Sequence, residues 1–272
     1  MNEKRRPQGR DNDRRRADRF ADRTPVEEVE GQLEGRNALQ EALRSGRTID
    51  KVFIAAGDTD RALQRLAADA KEAGAVVVPV DRRKLDAMSF THSHQGVIAL
   101  AAARNYFTID DLLEEAASRG ENALLVICDE LSDPHNLGAI IRSAECAGAH
   151  GVIIPKRRSV GLTATVAKAS AGAMEYMKVA KVTNIAAAIR ELKEKGVWVF
   201  GTAAEGSEVM YRADLTGPCA IVIGNEGDGI SRLVRESCDV MVHIPMSGRI
   251  SSLNASNAAS ILLYEAVRQR LG

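Results

Sequence analysis

The chain has little that would anchor it in a membrane, cross-link it or hold a metal. Among its 272 residues no apolar run approaches the ~20 residues of a membrane span, and the N-terminus carries no apolar segment of the signal-peptide kind. Only four cysteines occur, Cys128, Cys146, Cys219 and Cys238, without the paired spacing of a zinc site. That argues against a disulfide-built or zinc-built fold and fits a reducing cytoplasm. Net charge is also missing, with 37 Lys and Arg against 37 Asp and Glu, so a generally basic surface is excluded. No internal repeat is found. Neither the dinucleotide fingerprint GxGxxG nor a Walker loop with its lysine occurs, which leaves a nucleotide-dependent dehydrogenase or kinase poorly supported.

What is present is apolar content of 45%, enough for one large core or two small ones. Charge is unevenly placed: residues 1–25 hold nine Lys and Arg against five Asp and Glu, so the remainder has a deficit of four positive charges. An RNA surface on the folded body must then be a local patch. The first stretch, RRPQGRDNDRRRADR, has too little apolar surface to offset the entropy of ordering, and we expect a disordered basic arm over 1–28. It reads equally as a solvated tail and as a phosphate-attracting arm, and its interspersed Asp11, Asp13, Asp18 and Asp22 count against a mitochondrial presequence.

Over 29–103 short strands alternate with helices. The patterns predict helices at 35–45, 60–73 and 82–88 and strands at 51–55, 75–80 and 96–102, a small layered α/β domain. His92, His94 and Gln95 are candidate RNA contacts or plain loop residues. A linker over 104–121 runs into a helix with Ile109, Leu112, Leu113 and Ala116 on one face. From 122 to 272 buried apolar strands separated by helices imply a parallel sheet covered on both faces.

Three segments in this second part stand out. DELSDPHNLGAIIRSAECAG, 129–148, places Asp133 and Pro134 where a helix begins, with Ile140, Ile141, Ala144 and Ala147 facing inward. Asn136 and Arg142 on that helix are six residues apart and are not direct neighbours, so any cooperation needs tertiary structure. IVIGNEGDGIS, 221–231, is glycine-rich straight after an apolar strand: a ligand-binding turn or a tight connection. IPMSGRISSLNASNAASILLYE, 244–265, sets Ser251, Ser252 and Asn254 where a helix N-cap is wanted, before apolar residues at helical spacing. The loops after three strands, at Gly201 and Thr202, 224–229 and 244–253, would gather at the carboxyl end of the sheet, where ligands usually bind.

In order and spacing these three segments resemble the signature motifs of the SpoU (TrmH-type) RNA 2'-O-methyltransferases of the SPOUT superfamily. The upstream part, with its GRNAL opening and HSHQGVIA segment, resembles the ribosomal-protein-like module that precedes the catalytic domain in rRNA enzymes of that family. The resemblance implies a C-terminal trefoil knot, S-adenosylmethionine as cofactor, and a homodimer with the site at the subunit interface. It places cofactor contacts at Gly224, Ile244 and Leu253, with Gly201 and Thr202 beside them, and catalytic roles at Arg142, Asn136, Glu226, Ser252 and Asn254. The matching chemistry is methyl transfer to a ribose 2'-hydroxyl, a weak nucleophile needing proton removal or stabilisation of the developing alkoxide. A guanidinium is rarely deprotonated, so Arg142 is expected to hold the substrate phosphate and stabilise that charge. Glu226 would order the glycine loop or shuttle a proton. Asn225 and Ala255 stand where the family commonly has other residues. The whole-length resemblance implies a guanosine in the peptidyl-transferase region of 23S rRNA; the alternatives are a tRNA ribose 2'-O-methyltransferase and a noncatalytic RNA-binding protein.

Overall fold

The computed structural model describes residues 31–203, 208–225 and 227–272. The arm expected over 1–28 and the candidate Glu226 therefore lie outside the described residues.

The first sheet has four strands: β1 (Gln32–Glu34), β2 (Ile49–Ala55), β3 (Val76–Val80) and β4 (Val97–Ala101), in the order β1-β4-β2-β3. β2 runs antiparallel to β4 and parallel to β3. The short β1 was not expected; three residues are too few to show an alternation. Helices α1 (Arg36–Arg44) and α2 (Arg61–Glu72) put Leu39, Leu63 and Leu66 against Val52, Val97 and Ala99 on one face. On the other, α3 (Arg82–Met88) packs Leu85 on Val80 and Ile98. Asp60 and Asp81 start α2 and α3 by accepting hydrogen bonds from first-turn N–H groups, which those positions otherwise leave unsatisfied.

Two of the three candidate loop residues make hydrogen bonds within this unit. His94 is buried, its Nδ1 accepting from the Gly96 N–H at 3.0 Å and its Nε2 3.1 Å from Asp86. The Gln95 side chain accepts from the Arg36 N–H at 3.2 Å. A loop that must turn sharply into β4 needs its backbone polar groups satisfied, and these side chains do that.

After Tyr106 and Phe107, Thr108 and Asp111 form a reciprocal capping box and open α4 (Ile109–Arg119), which Gly120 ends in the left-handed conformation at φ 68°. The seam between the two sheets is polar at its centre. Buried Asp50 of β2 accepts from the Tyr106 hydroxyl at 2.7 Å and from the Lys181 ammonium, while the Ala103 N–H donates to the Leu162 carbonyl at 2.7 Å.

The second sheet has seven strands, β5 (Leu124–Cys128), β6 (Gly151–Pro155), β7 (Val179–Val182), β8 (Trp198–Thr202), β9 (Glu208–Val209), β10 (Cys219–Ile223) and β11 (Val240–His243). Their order is β7-β6-β5-β10-β8-β11-β9, and every pairing is parallel. Helices α5 (Pro134–Cys146), α6 (Ala164–Ala169) and α9 (Ala255–Leu271) cover one face; α4, α7 (Ile185–Glu194) and α8 (Arg232–Ser237) cover the other. Covered on both sides, β5 and β10 are buried along their whole length, which is why their sequences are unbroken apolar runs. Leu137, Ile140 and Ile141 of α5 are wholly buried, each contributing about 1.5–3 kcal/mol of transfer energy. Among the described residues no helix is long and apolar enough to cross a membrane.

Candidate functional site

In an all-parallel sheet every strand ends at the same edge. The loops after β8, β10 and β11 therefore converge, and they enclose a cavity of about 410 Å³, within the range of small-molecule sites. Ile223, Val242, Ile244, Leu253 and Leu262 supply apolar wall; Thr202, Asn225, Ser251 and Ser252 supply polar groups; Asp228 and Arg235 supply charge.

The glycine loop is folded back on itself. A Cβ on Gly224 would lie 2.1 Å from the carbonyl carbon of Gly229 and 2.3 Å from the Ile230 nitrogen, so only glycine lets the two strands of the turn approach. Asn225 and Gly229 exchange backbone hydrogen bonds at 3.1 and 3.2 Å, and Gly229 has φ 68°. The Asn225 side chain accepts from the N–H groups of Gly227 at 2.9 Å and Asp228 at 2.7 Å. This asparagine thus builds the turn through an Asx arrangement. At its far end the turn is tied to the first motif, where buried Asp129 accepts from the Ser231 N–H at 2.8 Å.

Of the expected cofactor contacts, Gly224, Thr202, Ile244 and Leu253 line the cavity. The Thr202 hydroxyl donates to the Val222 carbonyl at 2.8 Å, fixing β8 to β10 at the cavity floor. Gly201 does not line it. A Cβ there would meet Met241 Sδ at 2.5 Å and Cys238 Sγ at 2.9 Å, so its glycine answers a packing demand beneath the site.

The expected catalytic residues divide. Asn254 is the N-cap of α9: its Oδ1 accepts from the Ser256 N–H at 2.9 Å, and its Nδ2 donates to Asn136 Oδ1 at 2.9 Å. Ser252 does not cap the helix; it is exposed and lines the cavity. Asn136 is buried between α5 and α9, helices that also meet through Ser143 and Ser260, whose hydroxyls are 2.8 Å apart. Six helical residues turn the chain by about 600°, a net 240°. Arg142 therefore leaves the buried face, is exposed, and makes no ion pair among the described residues. Asn136 and Asn254 are brought together; Asn136 and Arg142 are not.

Two of the cysteines near the sheet edge are held inactive by their surroundings. Burial, then the neighbouring Asp129 charge, pushes the Cys128 thiol up to about 12; burial and Asp239 do the same for Cys238. Both stay protonated and inert near neutrality. Among the described residues no group of three or more His, Cys, Asp or Glu gathers to hold a metal. Arg235 on α8 and Met246 were not anticipated as lining residues, because neither lies in a recognisable local pattern and only the approach of separate elements brings them in.

Comparison with known proteins places these elements. Residues 123–264 match the SpoU rRNA Methylase family, and residues 32–107 match the RNA 2'-O ribose methyltransferase substrate binding family. A putative TrmH family tRNA/rRNA methyltransferase of Bacillus subtilis is 48% identical over 236 residues, covering 87% of this chain and 94% of its own. A 23S rRNA (guanosine-2'-O-)-methyltransferase of Ralstonia nicotianae is 46% identical over 240 residues, covering 88% and 95%. Among solved structures, the SpoU methyltransferase AviRb of Streptomyces viridochromogenes in complex with AdoMet superposes with a TM-score of 0.56 at 26% identity, covering 97% of this chain and 95% of that one.

Proposed function

The chain belongs to the SpoU rRNA methylase family and is an S-adenosylmethionine-dependent RNA 2'-O-methyltransferase; from that premise we propose that its substrate is a guanosine ribose in the peptidyl-transferase region of 23S rRNA. What carries the rRNA reading is that similarity to the R. nicotianae 23S enzyme runs through both sheets, the substrate-binding unit as well as the methylase unit. The division into 29–103, linker 104–121 and 122–272 belongs to the same proposal. The runner-up is a tRNA ribose, which the name of the B. subtilis relative leaves open. Enzyme family membership displaces the noncatalytic alternative.

The cavity suits the cofactor on its own geometry: apolar wall for an adenine ring, and a glycine-built turn that admits close backbone approach. When bound there, S-adenosylmethionine supplies a methyl group activated by its positive sulfonium. Gly224, Ile244 and Leu253, with Thr202, hold it, and Gly201 keeps the floor tight. Arg142 holds a substrate phosphate and stabilises the charge that develops on the ribose oxygen. The Asn136–Asn254 bond fixes the first turn of α9 and with it the loop bearing Ser252, which would hold that side of the cavity in place for the acceptor ribose. Glu226 orders the glycine loop or takes part in proton removal. The enzyme acts in the cytoplasm as a homodimer; exposed Ile250 and Tyr264 beside the cavity and on α9 are apolar surface a partner copy would cover. The same reading threads the C-terminal segment into a trefoil knot.

The test is transfer of tritiated methyl from S-adenosylmethionine to protein-free 23S rRNA and, in parallel, to bulk tRNA, with mapping of alkali-resistant ribose positions. A single resistant guanosine in 23S rRNA is expected. Label confined to tRNA would overturn the substrate assignment.

A further inference from the structure

A second groove, of about 540 Å³, opens at the seam between the two sheets. Its cations come from both sides. Lys71 sits at the end of α2 in the first unit, while Lys156 and Arg157 directly follow β6 in the second. Lys156 is anchored by its N–H to the Val182 carbonyl at 2.7 Å, and its ammonium lies 3.9 Å from where a Cβ on Gly74 would be, reaching across to the turn after α2.

The groove is unusual for its lack of acid. No Asp or Glu lines it, and none of the three cations makes an ion pair among the described residues. The adjacent cations do have acidic partners: Arg158 pairs with Glu130, and Lys181 with Asp50. The larger seam groove, about 700 Å³, carries Arg47, Arg104 and Lys178, but two of these three pair with Glu175 and Glu115, and so only Arg47 is left uncompensated there among the described residues. In a chain of zero net charge, uncompensated positive charge at one cleft is the local patch that RNA binding requires. Partial burial, and then the charges of Lys181 and Arg157, push the Lys156 ammonium below its ordinary value, a strain that a bound anion relieves.

The position of the groove is also informative. Lys156 and Arg157 leave the carboxyl end of β6, on the same edge of the parallel sheet as the loops after β8, β10 and β11 that enclose the cavity. With neighbouring strands about 4.8 Å apart, β6 lies roughly 10 Å from β10 and roughly 14 Å from β8 along that edge.

We propose that Lys71, Lys156 and Arg157 form an RNA-backbone clamp that grips phosphates of the substrate strand within a few nucleotides of the ribose being methylated. The inference rests on the RNA methyltransferase reading and deepens it by assigning the docking surface. Phosphate contacts of this kind set register without reading bases. The clamp also makes the seam part of the site, because its cations converge only while the two units hold their relative placement.

The experiment compares the full-length protein with a Lys71→Gln/Lys156→Gln/Arg157→Gln variant, using protein-free 23S rRNA as probe. The slope of log affinity against log salt is measured between about 50 and about 200 mM, where each lost phosphate contact lowers it by about 0.7–0.9. The variant is expected to lose about two to three units of slope, to raise KM for RNA with kcat little changed, and to bind S-adenosylmethionine as wild type does. If that variant loses cofactor binding and so is misfolded, the double variant at exposed Lys71 and Arg157 is expected to lose about one to two units. A control removes three other positive charges, Arg44→Gln/Arg119→Gln/Arg232→Gln, each ion-paired within its own helix, and should keep the wild-type slope. A wild-type slope in a folded clamp variant, or an equal loss in the control, overturns the clamp and leaves the RNA reading standing. Absence of salt-dependent RNA binding in the wild-type protein overturns both.

Discussion

Asn136 and Asn254, 118 residues apart, share one side-chain hydrogen bond of 2.9 Å, with the Asn254 amide donating to the Asn136 carbonyl oxygen. It joins the start of α5 to the cap of α9, so one asparagine both begins the last helix and ties it to the first motif. Asn254→Ala removes cap and tether together and should lower stability by about 1–2 kcal/mol. Asn254→Asp keeps an acceptor for the Ser256 N–H but places oxygen against oxygen at Asn136, and should fall between. Thermal unfolding of the three proteins checks this; an alanine variant as stable as wild type would show the bond to be idle.

Gly224→Ala should abolish the fold of the glycine loop locally. Its methyl would lie 2.1–2.4 Å from backbone atoms of Gly229 and Ile230, which have no rotamer by which to yield. The expected result in calorimetry is at least a tenfold loss of S-adenosylmethionine affinity with far-ultraviolet dichroism unchanged, since no helix depends on that turn. Unaltered affinity would place the cofactor elsewhere.

At Arg142 the expectation separates binding from chemistry. Arg142→Ala should leave cofactor affinity within about twofold and reduce kcat by about 100-fold or more, the scale seen when a donor to a developing oxyanion is removed. Arg142→Lys keeps the charge but loses the planar fork, and should recover little. Wild-type turnover in the alanine variant would remove the residue from the mechanism.

Glu34 makes the first unit acid-sensitive. Partial burial alone would raise its carboxyl, yet hydrogen bonds from the Thr91 and Ser89 hydroxyls, the Phe90 N–H and Gln32 outweigh that and hold it down to about 2. A carboxylate whose folded value lies below its ordinary 4.5 contributes stability above that value, which is lost as pH falls toward 2. Glu34→Gln should therefore be less stable than wild type at pH 6, and the two should converge below about pH 2. Denaturant titrations across that window decide it; parallel curves would contradict the assignment.

Asp50 and Lys181 are 11% and 13% exposed at the seam, and one oxygen of Asp50 has no hydrogen-bond partner among the described residues. Burial, and then the Asp50 charge, raises the Tyr106 phenol, so it stays protonated and keeps donating to that carboxylate. Asp50→Leu leaves the lysine charge buried and unpaired, at a cost of about 3–5 kcal/mol. Pairing it with Lys181→Met should restore much of that, because neither charge is then stranded. Denaturant unfolding of the four corners of the cycle measures the coupling; additive losses would show that the pair does not interact.

Local chemistry was legible in the sequence wherever a short-range rule applies. Asp133 with Pro134 opens α5, apolar runs become the buried β5 and β10, and the loops at 224–229 and 244–253 enclose the cavity, as spacing along the chain indicated. These follow from capping, side-chain periodicity and the common edge of a parallel sheet, each readable within about a dozen residues. Tertiary structure decided the rest. Gly201 proved to be a packing glycine because Met241 and Cys238 arrive from β11 and its approach; His94 turned inward beside Asp86, while Gln95 stayed exposed and met the Arg36 N–H at the surface. The Asn136–Asn254 bond and the Lys71, Lys156 and Arg157 groove join residues many tens of positions apart. Sequence spacing carries no record of such meetings, because strand order in a sheet and the seam between two units are set by burial and loop closure over the whole chain.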